Sequence, residues 1–316
     1  MLKYITIPLS SECESYCHFP DTRNLDAAFI SPDMLSRIVV WAMKENLSIQ
    51  FVYPQRPIPE SLETVIESVD HVKIVPGSTD DIDLLQKADI VIMNGFGAPE
   101  KLEDKIFVVK VGLSSLIGSF QSLTELIMRA RKVNVVIYDV SDFTKDDIDK
   151  YRSFLKDTSD FIAEEYIKGN NPQLNLITDR MFLTHMNNCN AGDESIAVSN
   201  EGVFYPCPGF IGDAQFSCGD IESGFGTPSI RLYNIKNAPI CKICDAWHCK
   251  RCVWLNRMLT HEVNTPGWQQ CHMSHLEREA SKNTLDKIRA VTPGFMEEIS
   301  IPKLEYYDPY QVVERL

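Results

Sequence analysis

A chain of 316 residues with 31 basic and 44 acidic side chains carries a formal charge of −13. That excess opposes nucleic acid and anionic membrane surfaces as partners, because both recruit basic patches. No apolar run approaches the roughly 20 residues that span a bilayer, and the opening MLKYITIPLSSECES lacks the basic and apolar regions of a signal peptide. A soluble, cytoplasmic protein is expected, and its ten cysteines read as metal ligands before they read as disulfides.

The first half alternates short β-branched runs with amphipathic stretches. Tyr4–Pro8, Ser48–Tyr53, Val72–Val75, Ile90–Asn94, Ile106–Val111 and Val133–Val140 read as strands. Between them Asp33–Asn46, Ser61–Val69, Ile82–Lys87, Leu123–Lys132 and Lys145–Tyr166 read as helices. The first helix shows the logic: Ser31-Pro32-Asp33 is a start signal, Met34, Ile38, Val39 and Ala42 share a face, and Asn46 closes it. Nearly continuous apolar strands separated by helices imply an α/β fold with a parallel sheet covered on both faces, either open or part of a barrel. Ligand sites in such folds gather at the C-terminal ends of the strands.

The loop after the first strand, SSECESYCHFPDTR, holds Cys13 and Cys17 with three residues between them, followed by His18 and Pro20. It reads as a loop with two unligated thiols, the alternative being a small site completed by an outside ligand such as His18. Gly95 and Gly97 form an isolated G-x-G, which is a strand-to-helix loop rather than a phosphate cradle.

After Asn170-Asn171-Pro172 the strand–helix rhythm fades, and a domain boundary is placed at 178/179, giving 1–178 and 179–316 with a C-terminal helix and tail. Eight of the ten cysteines fall in the second part: Cys189, Cys207, Cys218, Cys241, Cys244, Cys249, Cys252 and Cys271. Asn200-Glu201-Gly202 reads as a hairpin turn between strands Ile196–Ser199 and Val203–Tyr205, which brings Cys189 and Cys207 together. The densest stretch, CKICDAWHCKRC, has C-x2-C-x4-C-x2-C spacing. Paired C-x2-C turns let two thiolates reach one metal, and eight thiolates divide into two four-cysteine sites that suit zinc or iron–sulfur clusters. His248, inside the knot, reads as a solvent-facing loop residue, and His272 and His275 as surface positions on a helix.

The order C-x12-G-x4-C, then C-x2-C-x4-C-x2-C, then a distant Cys271 resembles the SPASM domain of radical SAM peptide-modifying enzymes, with the knot one residue shorter in each of two gaps. The whole chain is similar to the CXXX repeat peptide maturase family, through Trp41–Leu47 (WAMKENL), Cys252–Asn256 (CVWLN) and Asn264-Thr265-Pro266 leading to Cys271 and His275. The resemblance implies a partial (β/α) barrel of radical-SAM type followed by a cysteine-rich SPASM-like domain with two [4Fe–4S] clusters. Carried over by position, Cys241, Cys244, Cys249 and Cys271 would hold one cluster. Cys189, Cys207 and Cys252 would hold the other, with Cys218 as its fourth ligand.

Two departures bear on activity. A radical SAM loop has C-x3-C-x2-C after the first strand, and here Pro20 stands at the third position. No Gly-Gly-Glu-like turn follows the second strand, which runs into Phe51–Pro57. The resemblance therefore implies a degenerate radical SAM motif and makes S-adenosylmethionine an unexpected cofactor. The expected function is maturation of a ribosomally synthesised cysteine-repeat (CXXX) peptide, by binding the precursor or supporting a radical SAM maturase. The rivals are a zinc-binding interaction module without catalysis and an active radical-SAM-like enzyme using Cys13 and Cys17.

Overall fold

The computed structural model describes residues 2–21, 28–97, 102–226 and 228–302; the C-terminal tail expected beyond them lies outside the described residues. Eight strands form one sheet in the order β6-β5-β4-β3-β2-β1-β7-β8. Tyr4–Pro8 (β1), Ser48–Val52 (β2), His71–Pro76 (β3), Ile90–Asn94 (β4), Ile106–Val111 (β5) and Lys132–Ile137 (β6) pair in parallel, each with the next. This is the partial β/α barrel that the family resemblance implies, where the alternating pattern alone leaves an open sheet equally allowed. On the far side of β1, Ser195–Val198 (β7) pairs in parallel with Tyr4–Thr6, and Phe204–Tyr205 (β8) returns antiparallel to β7. The hairpin legible at Asn200–Gly202 therefore extends the same sheet.

Helices Pro32–Lys44 (α1), Glu60–Ile66 (α2), Ile82–Lys87 (α3), Leu113–Gly118 (α4), Phe120–Arg129 (α5) and Lys145–Ile167 (α6) cover one face of the sheet. Side-chain alternation sorts the strands: Ile5, Ile7, Ile49, Phe51, Val75, Val91, Phe107, Val109, Val133 and Val135 point into the main core with the helices. Ser31 caps α1 by accepting from the Met34 amide, and Asn46 ends it at φ +56°. Thr144 and Asp147 form a reciprocal capping box on α6. Helix α4, missing from the sequence reading, has six residues and follows β5 after the single residue Gly112, too short for a periodic signal.

The concave face carries Thr6, Gln50, Val52, Ile74, Ile92, Asn94 and Lys110, and the loop after β1 lies across it. Cys13 packs on Val52, Ile74 and Ile92 and donates to the Val52 carbonyl at 3.1 Å. Glu14 accepts from Gln55 (2.6 Å), Ser78 (2.8 Å) and Asn94 (3.3 Å). Asp21 pairs with the nearly buried Lys110 at 2.6 Å. Each buried polar group on this face thus finds a partner in the loop, which fixes the loop's path.

The second half continues through Thr178–Met181 (α7), a short ribbon of Gly219–Asp220 (β9) with Gly224–Phe225 (β10), Val253–Thr260 (α8) and the long Trp268–Val291 (α9). Helix α9 lies along α6, where Ser159 and Thr284 hydrogen-bond at 2.8 Å within the interface. The G-x4-C glycine has a steric reason. Gly202 sits at φ +82°, and a Cβ there would lie 2.9 Å from Met34 Sδ and 3.0 Å from Ile221 Cγ2. Gly202→Val should cost about 1–3 kcal/mol through backbone strain alone, read as a lowered denaturation midpoint. A wild-type midpoint would show that the turn tolerates a side chain.

Candidate metal centre

The knot of cysteines is held by backbone before any metal is considered. The Asn187 amide donates to the Trp247 carbonyl at 2.9 Å and the Cys189 amide to the Lys250 carbonyl at 3.2 Å, so the approach to β7 runs beside the knot. The Cys189 carbonyl in turn accepts from Tyr4 Oη at 3.1 Å, tying it to β1. Cys252 caps α8, its Sγ accepting from the Leu255 amide at 3.4 Å. Asn256 donates to the Val263 carbonyl at 2.8 Å, and Asn264 donates to the Leu232 carbonyl at 2.9 Å while accepting from Arg251 at 2.8 Å. Both asparagines belong to the stretches that carried the family resemblance, and both hold the turns on which the thiols sit.

One group of thiols lines a single mostly apolar cavity: Cys241, Cys244, Cys249 and Cys271, with Arg251 and His275 on the same wall. His275 Nε2 lies 3.5 Å from Cys244 Sγ, so this histidine, read from sequence as a surface residue, faces the centre. Burial raises Cys241 to about 12 and also raises Cys249. A buried neutral thiol resists ionising, and a bound metal's positive charge is what reverses this.

A second group forms where the sequence predicted three of its four members. Cys189, Cys207 and Cys252 come together, and Cys17 from the loop after β1 joins them. Each of the four perturbs the ionisation of others in the set. Cys17 and Cys252 hydrogen-bond, which lowers Cys17 to about 6 and raises Cys252 well above the usual thiol value. Burial lifts Cys189 to about 11 and Cys207 above its usual range. Cys17 is therefore not an isolated loop thiol, and it parts company with Cys13, which points into the concave face.

Cys218 lies elsewhere. It is 2% exposed in the main core beside β8, its amide donating to the Phe204 carbonyl at 2.8 Å and its Sγ to the Phe216 carbonyl at 3.4 Å. Burial alone raises it to about 11, with no contribution from another cysteine. Tyr233 belongs to the apolar cluster against which Cys189 and Cys207 pack. All ten cysteines are thiols rather than disulfides. Among the described residues no three histidine, cysteine or acidic side chains are grouped tightly enough for a single metal ion.

Arg251 stands between the two groups. It is 3% exposed, at φ +43°, and donates to the Tyr233 carbonyl as well as to Asn264. Burial lowers its pKa, while Cys241, Cys189 and Cys249, drawn from both groups, act in the opposite sense. Among the described residues its buried Nε has no hydrogen-bond partner, nor has Gln270 Oε1 on the same cavity wall. An unpartnered guanidinium N–H in a thiol-lined cavity fits an anionic occupant, which would satisfy a donor that costs about 1–3 kcal/mol when buried alone.

His248 is 5% exposed, not solvent-facing. Its Nε2 lies 3.1 Å from Glu277 Oε2, and the other Glu277 oxygen accepts from Tyr151 Oη at 2.6 Å. Burial, then Glu277, holds the Tyr151 pKa well above its usual value. Arg278 pairs with Asp245 at 2.7 Å, and Arg180 stacks on Trp247 at 4.1 Å. These contacts fix the knot against α6 and α9. Sequence spacing could not reveal them, because Tyr151, His248 and Glu277 belong to three separate segments.

Among solved structures, anSMEcpe with bound AdoMet aligns over 92% of this chain and 95% of its own at 16% identity, with a TM-score of 0.60. The same protein with AdoMet and a Kp18Cys peptide aligns over 92% and 99% at 15% identity, again at 0.60. Streptococcus suis SuiB bound to precursor peptide SuiA aligns over 85% and 76% at 13% identity, with a TM-score of 0.49. The fold is thus of the radical SAM type. No protein-family model and no curated protein matches the chain.

Glu277→Ala should destabilise the protein by about 1–3 kcal/mol, because it strips the acceptor from a buried tyrosine and a buried histidine. Exposed Glu164→Ala on α6 should stay within about 0.5 kcal/mol. Chemical denaturation of both variants checks this, and equal midpoints would show that the buried network contributes nothing.

Proposed function

We propose that this chain is an iron–sulfur protein of peptide maturation, related to the CXXX repeat peptide maturases, that holds a cysteine-repeat precursor alone or alongside a radical SAM maturase. The observation that carries this reading is the gathering of eight thiols into two four-membered groups beside a barrel of radical SAM type. Cys241, Cys244, Cys249 and Cys271 would hold one [4Fe–4S] cluster, and Cys189, Cys207 and Cys252 three corners of another. In this reading residues 1–178 serve as the barrel unit and 179–316 supply most of the ligands, with β7 and β8 of the second part extending the barrel's sheet. When bound, such clusters transfer electrons or offer an iron to a substrate thiolate, with potentials tuned by charge, hydrogen bonds and exposure.

The protein's own part is to bury the sulfurs, to place Arg251 between the two groups, and to lock the knot through Asn256, Asn264 and the His248–Glu277–Tyr151 chain. A peptide has an approach at the C-terminal ends of β1 and β7. There a hollow of about 370 Å³ is lined by Pro8, Ser10, Ser11, Val198, Ser199 and Tyr205. A larger hollow of about 720 Å³ lies at the opposite end of β1, beside Leu2 and Glu45. We favour the first, because barrels of this class bind ligands at the C-terminal ends of their strands. The peptide held by anSMEcpe supports a peptide substrate. The AdoMet in the same structure counts against the expectation that S-adenosylmethionine has no place here, so it enters the test.

Protein purified without oxygen should contain about eight irons and as many sulfides per chain, with broad absorbance that bleaches on reduction. About two zincs and no sulfide would overturn the iron–sulfur reading and leave a structural scaffold. A labelled synthetic peptide of CXXX repeats, titrated with and without AdoMet, should bind the holoprotein, and binding should weaken when Ser11 and the exposed Glu201, both on the wall of the favoured hollow, are replaced by Trp. No binding in either condition would remove the precursor-holding role.

A further inference from the structure

The second thiol group needs a fourth member, and three independent packing contacts say where it comes from. Residue Phe19 lies two positions after Cys17, Gly209 two after Cys207, and Trp254 two after Cys252. These three meet at one point: a Cβ on Gly209 would lie 2.7 Å from Phe19 Cβ and 2.5 Å from Trp254 Cδ1. The missing Cβ of Gly209 lets the three segments close to this distance, with Cys17, Cys207 and Cys252 each two residues upstream of the junction. His18 then lines a cavity with Lys250 and Leu255, on either side of Cys252. Tyr16 holds the near side of the loop through its 3.5 Å contact with Thr6 on β1 and an edge contact with Phe19.

The geometry points to Cys17 as the fourth thiolate of the cluster held by Cys189, Cys207 and Cys252, in place of Cys218. The inference rests on the iron–sulfur reading above and specifies its ligand set. Its chemical consequence is that this cluster is closed by four thiolates and has no open iron, which makes it an electron-transfer or structural centre rather than a substrate site. Its architectural consequence is that one ligand belongs to the barrel loop and three to the cysteine-rich segment, so the cluster bolts the two together. Assembly releases a proton from each ligand thiol still protonated, and the thiolates bind iron without any change in oxidation state of the sulfur. Cys218 stays a buried core thiol, anchored through its own amide and Sγ to β8 and Phe216.

The test compares anaerobically prepared wild type with Cys17→Ala, Cys17→Ser, Cys218→Ala and Cys13→Ala, by iron and sulfide content, electron paramagnetic resonance and limited proteolysis. Cys17→Ala should retain about half the iron, or show a [3Fe–4S] signal absent from wild type. Its 10–21 loop should become several-fold more sensitive to protease. Cys17→Ser, which keeps an oxygen ligand, should recover part of the iron with a shifted spectrum. Cys218→Ala and Cys13→Ala should keep wild-type iron and wild-type spectra. Unchanged iron and spectra in both Cys17 variants would overturn the assignment, and so would loss of one cluster in Cys218→Ala. If Cys17→Ala fails to fold, Cys17→Ser decides by its spectrum, since a changed signal at retained iron requires residue 17 to touch the cluster. Wild type that carries no iron would instead sink the reading on which this rests.

Discussion

The pairing of β1 with β7 is the contact on which the rest of the molecule depends. Tyr4, Ile5 and Thr6 align with Ser195, Ile196 and Ala197 in parallel register. The pairing closes a chain separation of nearly two hundred residues. Such closure is entropically costly, though the cost grows only slowly with loop length, and it is met by apolar burial of Ile5, Ile7, Ile196 and Val198 in one core. Once the register is set, Cys189, just ahead of β7, and Cys207, just after the antiparallel β8, lie at the N-terminal end of β1. The loop after β1 carries Cys17 back toward them across the sheet, where Tyr16 reaches Thr6.

The loop itself is shaped by the concave face. Thr6, Gln50, Asn94 and Lys110 offer hydrogen-bonding groups there, and an unpaired Lys110 at 9% exposure would be expensive to bury. Asp21 answers the lysine, Glu14 answers Asn94 and Gln55, and Cys13 fills the apolar patch over Val52, Ile74 and Ile92. With Cys13 drawn inward, Cys17 is turned toward the knot. The x3 spacing that suggested one shared site therefore delivers two thiols to two different environments.

Much of the fold was legible because its signals are local. The expected ends of β1, β4, β5 and α3 coincide with the observed ones, helped at β4 by Asp89 and Gly95, at β5 by Gly112 and at α3 by Asp81. The grouping of Cys241, Cys244, Cys249 and Cys271 follows from the family resemblance, since spacing alone leaves open whether Cys252 or Cys271 joins the first three. What spacing could not disclose is whatever the β1–β7 pairing creates. Cys218 follows Cys207 in sequence and seemed the natural fourth partner, yet its backbone is pinned to β8 and its sulfur to Phe216. His248 looked exposed for the same reason: its acceptor, Glu277, lies on a helix beyond the knot.

Charge explains why the two thiol groups need the residues between them. On the proposed iron–sulfur reading, two clusters with four thiolates each would be anionic, and two such centres in one low-dielectric region would repel. A single buried Arg251, held by Asn264 and the Tyr233 carbonyl, faces thiols of both groups. An isolated buried guanidinium would be strongly destabilising, whereas one between two anionic centres is compensated by both. Its left-handed backbone at φ +43° places it there directly before Cys252, a strained conformation retained where the surroundings fix it. The arginine thus has its electrostatic rationale only when both centres are charged. The eight thiols and the cation are best understood as one unit, and the loop after β1 as part of it.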